Sequence, residues 1–215
     1  YFVDAVSAYR SDFALFPEFF NAPLMADNNH LPESQAIREL AKYTPIIVQK
    51  FSELAITYNI NILTGSMPEL KNGLLFNGYL CRRDGTTERY EKLHVTPDEA
   101  KVWGMQGGNE LKTFDTDCGK IGVLICYDSE FPELSRILAD EGMQILFIPF
   151  LTDTQNGYSR VRHCSQARAI ENECYVAIAA DVDLDLLKDL NQFGSVRNLK
   201  DRRTDIFEVR KIPKK

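Results

Sequence analysis

The sequence predicts an α/β fold whose central strands are covered by helices on both sides. Segments with strand-like and helix-like patterns alternate along the chain. Residues 121–126 are almost wholly apolar, which is typical of a strand buried on both faces. The tripeptide Arg-Asp-Gly at residues 83–85 separates two extended segments and predicts a β-hairpin. Because a hairpin pairs its arms antiparallel, the predicted sheets are mixed.

The first part of the chain predicts helices at residues 1–10, 33–43 and 45–58, and strands at residues 12–16 and 61–67. Thr44 is predicted to cap the third helix, and Pro45 to occupy its first turn. Pro17 ends the first strand because a proline cannot continue a central ladder. Glu18 is therefore expected at the end of a strand.

The remaining chain continues the alternation. It predicts hairpin arms at 73–81 and 86–95, followed by a polar loop at 96–110. Further strands are predicted at 111–114, 121–126, 144–150 and 174–180. Helices are predicted from Pro132 and over 158–172, and from residue 181 an amphipathic helix is followed by a charged tail. Cys126 is thus expected where a buried strand ends and a helix is about to begin.

We expect residues 1–215 to form a single domain, because 215 residues with 44% hydrophobic content supply one large core. The helix-like start predicts that a strand precedes residue 1. The strand at 174–180 runs directly into the segment DVDLD without turn residues, although successive strands need a connection. A segment is therefore predicted to be missing between Ala180 and Asp181.

The composition narrows the class of protein. A net charge of −6 and the lack of a dense basic segment before the tail argue against a nucleic-acid partner. No segment approaches the ~20 apolar residues that cross a bilayer, and no signal-peptide pattern is present. Five cysteines without a close pair indicate a reduced, cytoplasmic protein, and three separated histidines predict neither a metal site nor another cofactor.

Three residues at predicted strand ends have side chains suited to acyl transfer: Glu18, Lys92 and Cys126. A thiol has a pKa near ~8.5 and needs help to act as a nucleophile at neutral pH. A carboxylate can take its proton, and an ammonium group can stabilise the thiolate and then an oxyanion. Each residue alone also has an ordinary explanation, as a loop charge, a hairpin charge and a small core residue respectively.

Four motifs occur in an order that resembles the nitrilase, or carbon–nitrogen hydrolase, superfamily. They are FPE at 16–18, K-x-H at 92–94, CYD-x-x-FPE at 126–133 and ARAIEN at 167–172. The resemblance implies a four-layer α-β-β-α sandwich with mixed sheets. It also implies assembly as a homodimer or larger homo-oligomer.

The resemblance further implies a role for each matching residue. Glu18 would be the general base, Lys92 would stabilise the tetrahedral intermediate, and Cys126 would attack the carbonyl or nitrile carbon. Glu99 matches a second glutamate found in many members, and Glu110 is a weaker match. The implied activity is hydrolysis of a non-peptide C–N bond in an amide, carbamoyl amine or nitrile through a cysteine thioester, with a linear amide as the expected substrate.

Substrate contacts are predicted around the nucleophile. The backbone N–H of Tyr127 is expected to donate to the oxyanion, and Phe150 and Thr152, together with the loop around Trp103, to form pocket walls. Glu130 stands where some members that hydrolyse carbamoyl amino acids place arginines, so it would disfavour an acid and favour an amine or a neutral amide. Alternatively, Glu130 interacts only with the dipole of the following helix.

Three alternatives remain open from the sequence. The first is a Cys–His hydrolase that pairs Cys126 with His163 or His94, although both histidines are expected to be structural. The second is an acyltransferase that passes the same thioester to an amine. The third is a non-catalytic relative that binds a small molecule. The tail is also predicted to pack on a partner subunit, through Phe193, Val196, Ile206 and Phe207.

Overall fold

The computed structural model describes residues 1–71, 73–152 and 154–180. The helices are α1 (Phe2–Ala8), α2 (Glu33–Ala41), α3 (Thr44–Thr57), α4 (Pro132–Asp140) and α5 (Gln155–Glu171). The strands are β1 (Phe13–Leu15), β2 (Asn61–Leu63), β3 (Met67–Leu70), β4 (Leu74–Cys81), β5 (Thr87–Glu91), β6 (Met105–Gln106), β7 (Phe114–Thr116), β8 (Gly119–Val123), β9 (Ile145–Phe150) and β10 (Tyr175–Ala180). The predicted break after Ala180, the following helix and the apolar tail positions lie outside the described residues.

The described strands form two mixed sheets. The first has the order β1-β2-β4-β3, and β5 and β6 also pair with β4. The second has the order β10-β9-β8-β7 and is parallel except for the β7–β8 pair. The predicted hairpin is present, since β4 and β5 pair antiparallel from Asn77 opposite Glu91 to Cys81 opposite Thr87.

The two sheets pack against each other and carry helices on their outer faces. Apolar side chains of both sheets share one core, and the rings of Phe13 and Phe147 approach to 5.1 Å between centroids. On one outer face, Phe51 of α3 packs with Ile62 of β2. On the other, helices α4 and α5 contribute Leu138 and Val161 to the core. The predicted four-layer α-β-β-α sandwich is therefore confirmed.

Two predicted elements differ locally from the structure. The strand expected at 61–67 divides into β2 and β3, because Gly65 has a left-handed backbone with φ +66°. The loop expected at 96–110 contains a π-helical turn, Glu99–Trp103, and the short strand β6. Both departures place polar residues beside the strand ends that carry the predicted site.

Thr44 does not cap α3 as the sequence suggested. The residue before the helix is Tyr43, and no side chain bonds the first turn. Thr44 instead begins the helix and donates its hydroxyl to the carbonyl of Pro68 at 2.7 Å, so it fastens α3 to β3. Pro45 lies in the first turn, where its missing N–H is not needed. No described helix is long and apolar enough to cross a membrane.

Candidate active site

Lys92 is a buried lysine held between two carboxylates. Lys92 is the first residue after strand β5, and it is 1% exposed. Its Nζ atom donates to Glu18 Oε1 at 2.8 Å and to Glu99 Oε1 at 2.5 Å. Burial disfavours the ammonium, but the charges of the two carboxylates outweigh that cost and raise the pKa of Lys92. Lys92 therefore carries its charge at neutral pH and keeps its third N–H donor unused by these two partners.

Glu18 is held in one orientation by contacts to both carboxylate oxygens. Glu18 follows Pro17 in the short segment after β1, and the Glu18 backbone forms a parallel bridge with Ser66. Oε1 accepts from Lys92, and Oε2 accepts the backbone N–H of Leu151 at 2.9 Å. Burial raises the pKa of Glu18 above its usual value, against the attraction of Lys92. A carboxylate of raised pKa is a stronger proton acceptor, which suits a general base.

Glu99 completes the pair of acids from the π-helical turn. Its Oε2 accepts the backbone N–H of Thr96 at 2.7 Å, and its own N–H donates to the Thr96 hydroxyl at 3.3 Å. These reciprocal bonds fix the start of the turn in the manner of a capping box. Glu99 therefore presents Oε1 to Lys92 from a side chain that has no freedom to turn away.

Cys126 begins a short 3-10 helix, Cys126–Glu130, after strand β8. It has a left-handed backbone, φ +48°, which is unusual for a residue with a side chain. The carbonyl of Cys126 accepts from the Ser129 hydroxyl at 2.7 Å, and its thiol lies 3.6 Å from the carbonyl oxygen of Leu151. Strained backbone of this kind is found at functional sites where the surrounding contacts enforce it.

The thiol of Cys126 lies within the electrostatic reach of Glu18 and Lys92. Burial raises the pKa of Cys126 well above its usual value, the charge of Glu18 raises it further, and Lys92 opposes both. Cys126 is therefore a neutral thiol at rest, next to a carboxylate able to accept its proton.

Asp128 connects the two chain segments that carry Lys92 and Cys126. Its buried carboxylate accepts the backbone N–H of Leu93 at 3.2 Å, that of His94 at 2.7 Å and that of Ile125 at 3.3 Å. The His94 ring also contacts it at 3.0 Å through Nδ1 and stacks on Phe131 at 3.7 Å. This role was not anticipated from the sequence, because it depends on a contact between residues 34 positions apart.

A cavity of about 700 Å³ opens over Cys126, Glu18 and Glu99. Its volume is in the range of small-molecule sites. One wall is aromatic: Phe19 and Phe76 both contact Trp103, with ring centroids 5.5 and 6.0 Å apart. A smaller, more open groove of about 540 Å³ along α3 lies away from Glu18, Lys92 and Cys126, so the cavity over Cys126 is the candidate site.

The predicted substrate contacts are only partly in the wall of this cavity. Tyr127, Glu130 and Thr152 line it, as does Trp103. Phe150 does not line it: the residue is 0% exposed and packs in the core of the sandwich, with its ring 5.9 Å from that of Tyr158. The position of Phe150 as a pocket wall is therefore corrected, because β9 is buried along its length from Leu146.

Glu130 does not stand alone as an acid in the cavity. Arg160 of α5 donates from Nε to Glu130 Oε1 at 2.8 Å and lines the same cavity. The expectation that Glu130 repels an acidic substrate stays a prediction, and the structure adds that the charge of Glu130 is paired. Arg160 was missed from the sequence, although Gly157, Arg160 and Val161 share one face of α5 at helical spacing and all line the cavity.

The histidines do not approach the thiol in a catalytic arrangement. His94 is bonded to Asp128 and stacked on Phe131, in agreement with a structural role, and His163 is exposed on α5. The charged groups that act on the Cys126 thiol are Glu18 and Lys92. Across the described residues, no cluster of three or more His, Cys, Asp or Glu side chains has the geometry of a metal site.

The α-β-β-α sandwich and the buried acid–lysine–acid cluster beside a strained cysteine define the class as a nitrilase-like protein. The chain belongs to the carbon-nitrogen hydrolase family, whose sequence model matches residues 2–195. The fold is shared with nitrilase-superfamily structures: Saccharomyces cerevisiae Nit3 superposes with a TM-score of 0.71 at 24% identity, over 86% of this chain and 68% of Nit3.

Curated relatives resemble the chain more closely in sequence. The probable hydrolase YhcX of Bacillus subtilis is 41% identical over 257 aligned positions, covering 97% of this chain and 50% of that protein. The human omega-amidase NIT2 is 31% identical over 190 positions, covering 83% of this chain and 66% of that protein. The chain thus spans between half and two thirds of the length of these relatives.

Proposed function

We propose that this protein hydrolyses a linear amide through a thioester on Cys126. The observation that carries the proposal is the buried Lys92 ammonium, held between Glu18 and Glu99 beside the Cys126 thiol. The family and the relatives support it, since one is a probable hydrolase and another an omega-amidase. The amidase of Nesterenkonia sp. AN1, which shares the fold with a TM-score of 0.69 at 21% identity, was solved with acrylamide.

The first half of the reaction forms the thioester. Cys126 Sγ attacks the amide carbon while the thiol proton passes to the Glu18 carboxylate. The carbonyl oxygen becomes an oxyanion, which the third N–H of Lys92 and the backbone N–H of Tyr127 stabilise. The C–N bond then breaks, Glu18 returns the proton to the nitrogen, and ammonia or an amine leaves.

The second half consumes the thioester with water. Glu18, again a carboxylate, takes a proton from water as the water oxygen attacks the thioester carbon. The C–S bond breaks, the proton returns to sulfur, and the acid leaves the cavity. Glu99 acts on Lys92, whose charge and position it maintains throughout. These steps use no metal or organic cofactor. We also propose that the protein is cytoplasmic and forms a homo-oligomer.

The proposal is tested by measuring ammonia released from linear amides, nitriles and N-carbamoyl amines. We expect turnover of amides by the unmodified protein and none by Cys126→Ala. Cys164→Ala and Cys174→Ala are matched controls, because both thiols lie outside the cavity wall, and they should keep the activity. Persistent turnover by Cys126→Ala would refute the thioester.

Trapping distinguishes hydrolysis from acyl transfer. Rapid acid quenching during turnover should leave an acyl group on the peptide that contains Cys126, detected by mass spectrometry. The free acid should be the main product when an amine is added at millimolar concentration. An N-acyl amine as the main product would instead assign the chain to acyl transfer.

A further inference from the structure

Glu130 and Arg160 form an ion pair on the wall of the catalytic cavity. Glu130 belongs to the 3-10 helix that starts at Cys126, and Arg160 to α5. Arg160 Nε donates to Glu130 Oε1 at 2.8 Å, and the side chains are 54% and 18% exposed. Because both residues line the cavity over Cys126, a ligand in the cavity meets both charges.

Each partner keeps bonding capacity after the pair is made. A guanidinium has five N–H donors, and of these only Nε has a hydrogen-bond partner among the described residues. Glu130 likewise accepts through Oε1 alone within the same part of the chain. The pair therefore retains the two Nη groups, which suit a carboxylate, and a carboxylate oxygen, which suits an ammonium.

The charge of the pair selects among ligands. A single cation gains from Glu130 but is repelled by Arg160, and a single anion experiences the reverse. A ligand with adjacent charges of both signs gains from both partners. A zwitterion therefore matches this wall better than an acid or an amine alone.

The surroundings of Arg160 favour the same arrangement. The first turn of α5 contains no acidic residue, and Thr154 and Gly157 of that end line the cavity. The positive end of the helix dipole thus lies at the wall where a carboxylate would meet Arg160.

We propose that Glu130 and Arg160 bind the ammonium and carboxylate of an α-amino acid whose side-chain amide is cleaved at Cys126. This inference rests on the proposed amide hydrolysis and specifies its substrate class. It sets ω-amides of free amino acids apart from N-carbamoyl amino acids, whose α-nitrogen has lost its positive charge. It also replaces the expectation from sequence that Glu130 selects an amine.

Four amides built on the same acyl chain separate the effect of the ligand's ammonium from that of its carboxylate. L-Glutamine has both charges, 5-amino-5-oxopentanoate only the carboxylate, 4-aminobutanamide only the ammonium, and butanamide neither. With the full chain, we expect kcat/KM for L-glutamine to exceed that for each of the others by about 10-fold or more, since hydrogen bonds to charged groups are the stronger kind. L-Asparagine, one methylene shorter, reports the length that the cavity accepts.

Variants assign each charge to a residue. Arg160→Gln should lower kcat/KM most for the two carboxylate-bearing amides, and Glu130→Gln for the two ammonium-bearing ones, each by about 10-fold and through KM. Arg162→Gln, an exposed arginine two residues from Arg160, is the matched control and should change neither. Equal losses for all four amides in Arg160→Gln would overturn the assignment.

Calorimetric binding to Cys126→Ala separates this inference from the proposed function. That variant keeps Glu130 and Arg160, so it should bind L-glutamine more tightly than butanamide without turning either over. Hydrolysis of the four amides at similar kcat/KM would overturn the zwitterion subsite and leave amide hydrolysis standing. An absence of hydrolysis, with selective binding of L-glutamine, would overturn the hydrolysis and leave the subsite standing.

Discussion

The backbone N–H of His94 donates to Asp128 Oδ1 at 2.7 Å and so joins the segment after β5 to the turn that carries Cys126. Lys92 lies two residues before His94, and Cys126 two residues before Asp128. One buried carboxylate therefore bonds the backbone of both segments that carry the site. The His94–Asp128 hydrogen bond can therefore affect the reaction although neither of these two residues has to touch a substrate.

Replacing Asp128 by alanine should lower both stability and activity. Three backbone N–H groups would lose their acceptor, and a buried donor without a partner costs about 1–3 kcal/mol. Two of the three bonds are only partly buried, so water can replace part of what they lose. We expect the free energy of unfolding to fall by about 2–4 kcal/mol, measured by urea denaturation. Asp140→Ala, at an exposed acid at the end of α4, is the control and should change it little. Equal effects of the two variants would contradict the role of Asp128.

Replacing Lys92 by methionine should destabilise the protein in a pH-dependent manner. The change leaves two buried carboxylates without their cation, which costs about 3–5 kcal/mol. Without Lys92 the pKa of Glu18 rises further, so the folded variant binds a proton more tightly than the unfolded chain. Its stability should therefore be highest at low pH and fall as pH rises through the pKa of Glu18.

Thermal unfolding of the Lys92→Met variant at pH 5 and pH 8 measures this dependence. The loss relative to the unmodified protein should be larger at pH 8. Lys50→Met is the comparison, because Lys50 forms an exposed pair with Glu53 and its loss should change stability little at either pH. A loss that is the same at both pH values would show that the charge of Glu18 does not depend on Lys92.

Local signals in the sequence were sufficient to place the strand ends that carry the candidate site. Pro17 ends the first strand because a proline has no N–H for the ladder, and Pro132 marks the first turn of a helix. The Asp84-Gly85 turn fixes the hairpin before Lys92. The positions of Glu18, Lys92 and Cys126 at strand ends followed from these turns. The side-chain geometry between them required the packed sheets.

Contacts between distant segments could not be predicted in the same way. The Arg160–Glu130 pair joins residues 30 positions apart, and only the packing of α5 beside the 3-10 helix brings them together. Phe150 was misplaced for a related reason. A strand buried on both faces has no alternation of polar and apolar residues, so its pattern cannot tell which side chains meet a cavity.

The pH dependence of kcat/KM should show an acidic limb controlled by Glu18. The mechanism needs the carboxylate form, so activity is present above the pKa of Glu18 and is lost as pH falls through it. Burial raises that pKa above the ordinary value of 4.5, and the limb should therefore lie above pH 4.5. A pH profile from 4 to 9 with a linear amide measures it.

Glu18→Gln supplies the control for that limb. The amide cannot accept the thiol proton, and we expect kcat to fall by about 10²–10⁴-fold at pH values above the acidic limb. Any residual rate should no longer decline with the same acidic pKa. A residual rate with an unchanged acidic limb would assign the limb to another group.

Replacing Gly65 by alanine should damage the site through the chain segment before Glu18. Gly65 has a φ of +66°, and a Cβ there would overlap the carbonyl oxygen of Pro17. Gly142 is a matched control, because its φ is +92° but the nearest atom to an added Cβ is Lys120 Cδ at 3.8 Å. Gly142→Ala should cost only the left-handed backbone penalty of about 1–2 kcal/mol.

Gly65→Ala should cost that penalty and about 1–3 kcal/mol more, since backbone atoms must move to relieve the overlap. Pro17 adjoins Glu18, so the movement should also lower kcat, whereas Gly142→Ala should keep it. Urea denaturation and ammonia release measure the two effects. Equal losses of stability in both variants, with kcat retained, would show that the segment before Glu18 yields to the added methyl without disturbing the carboxylate.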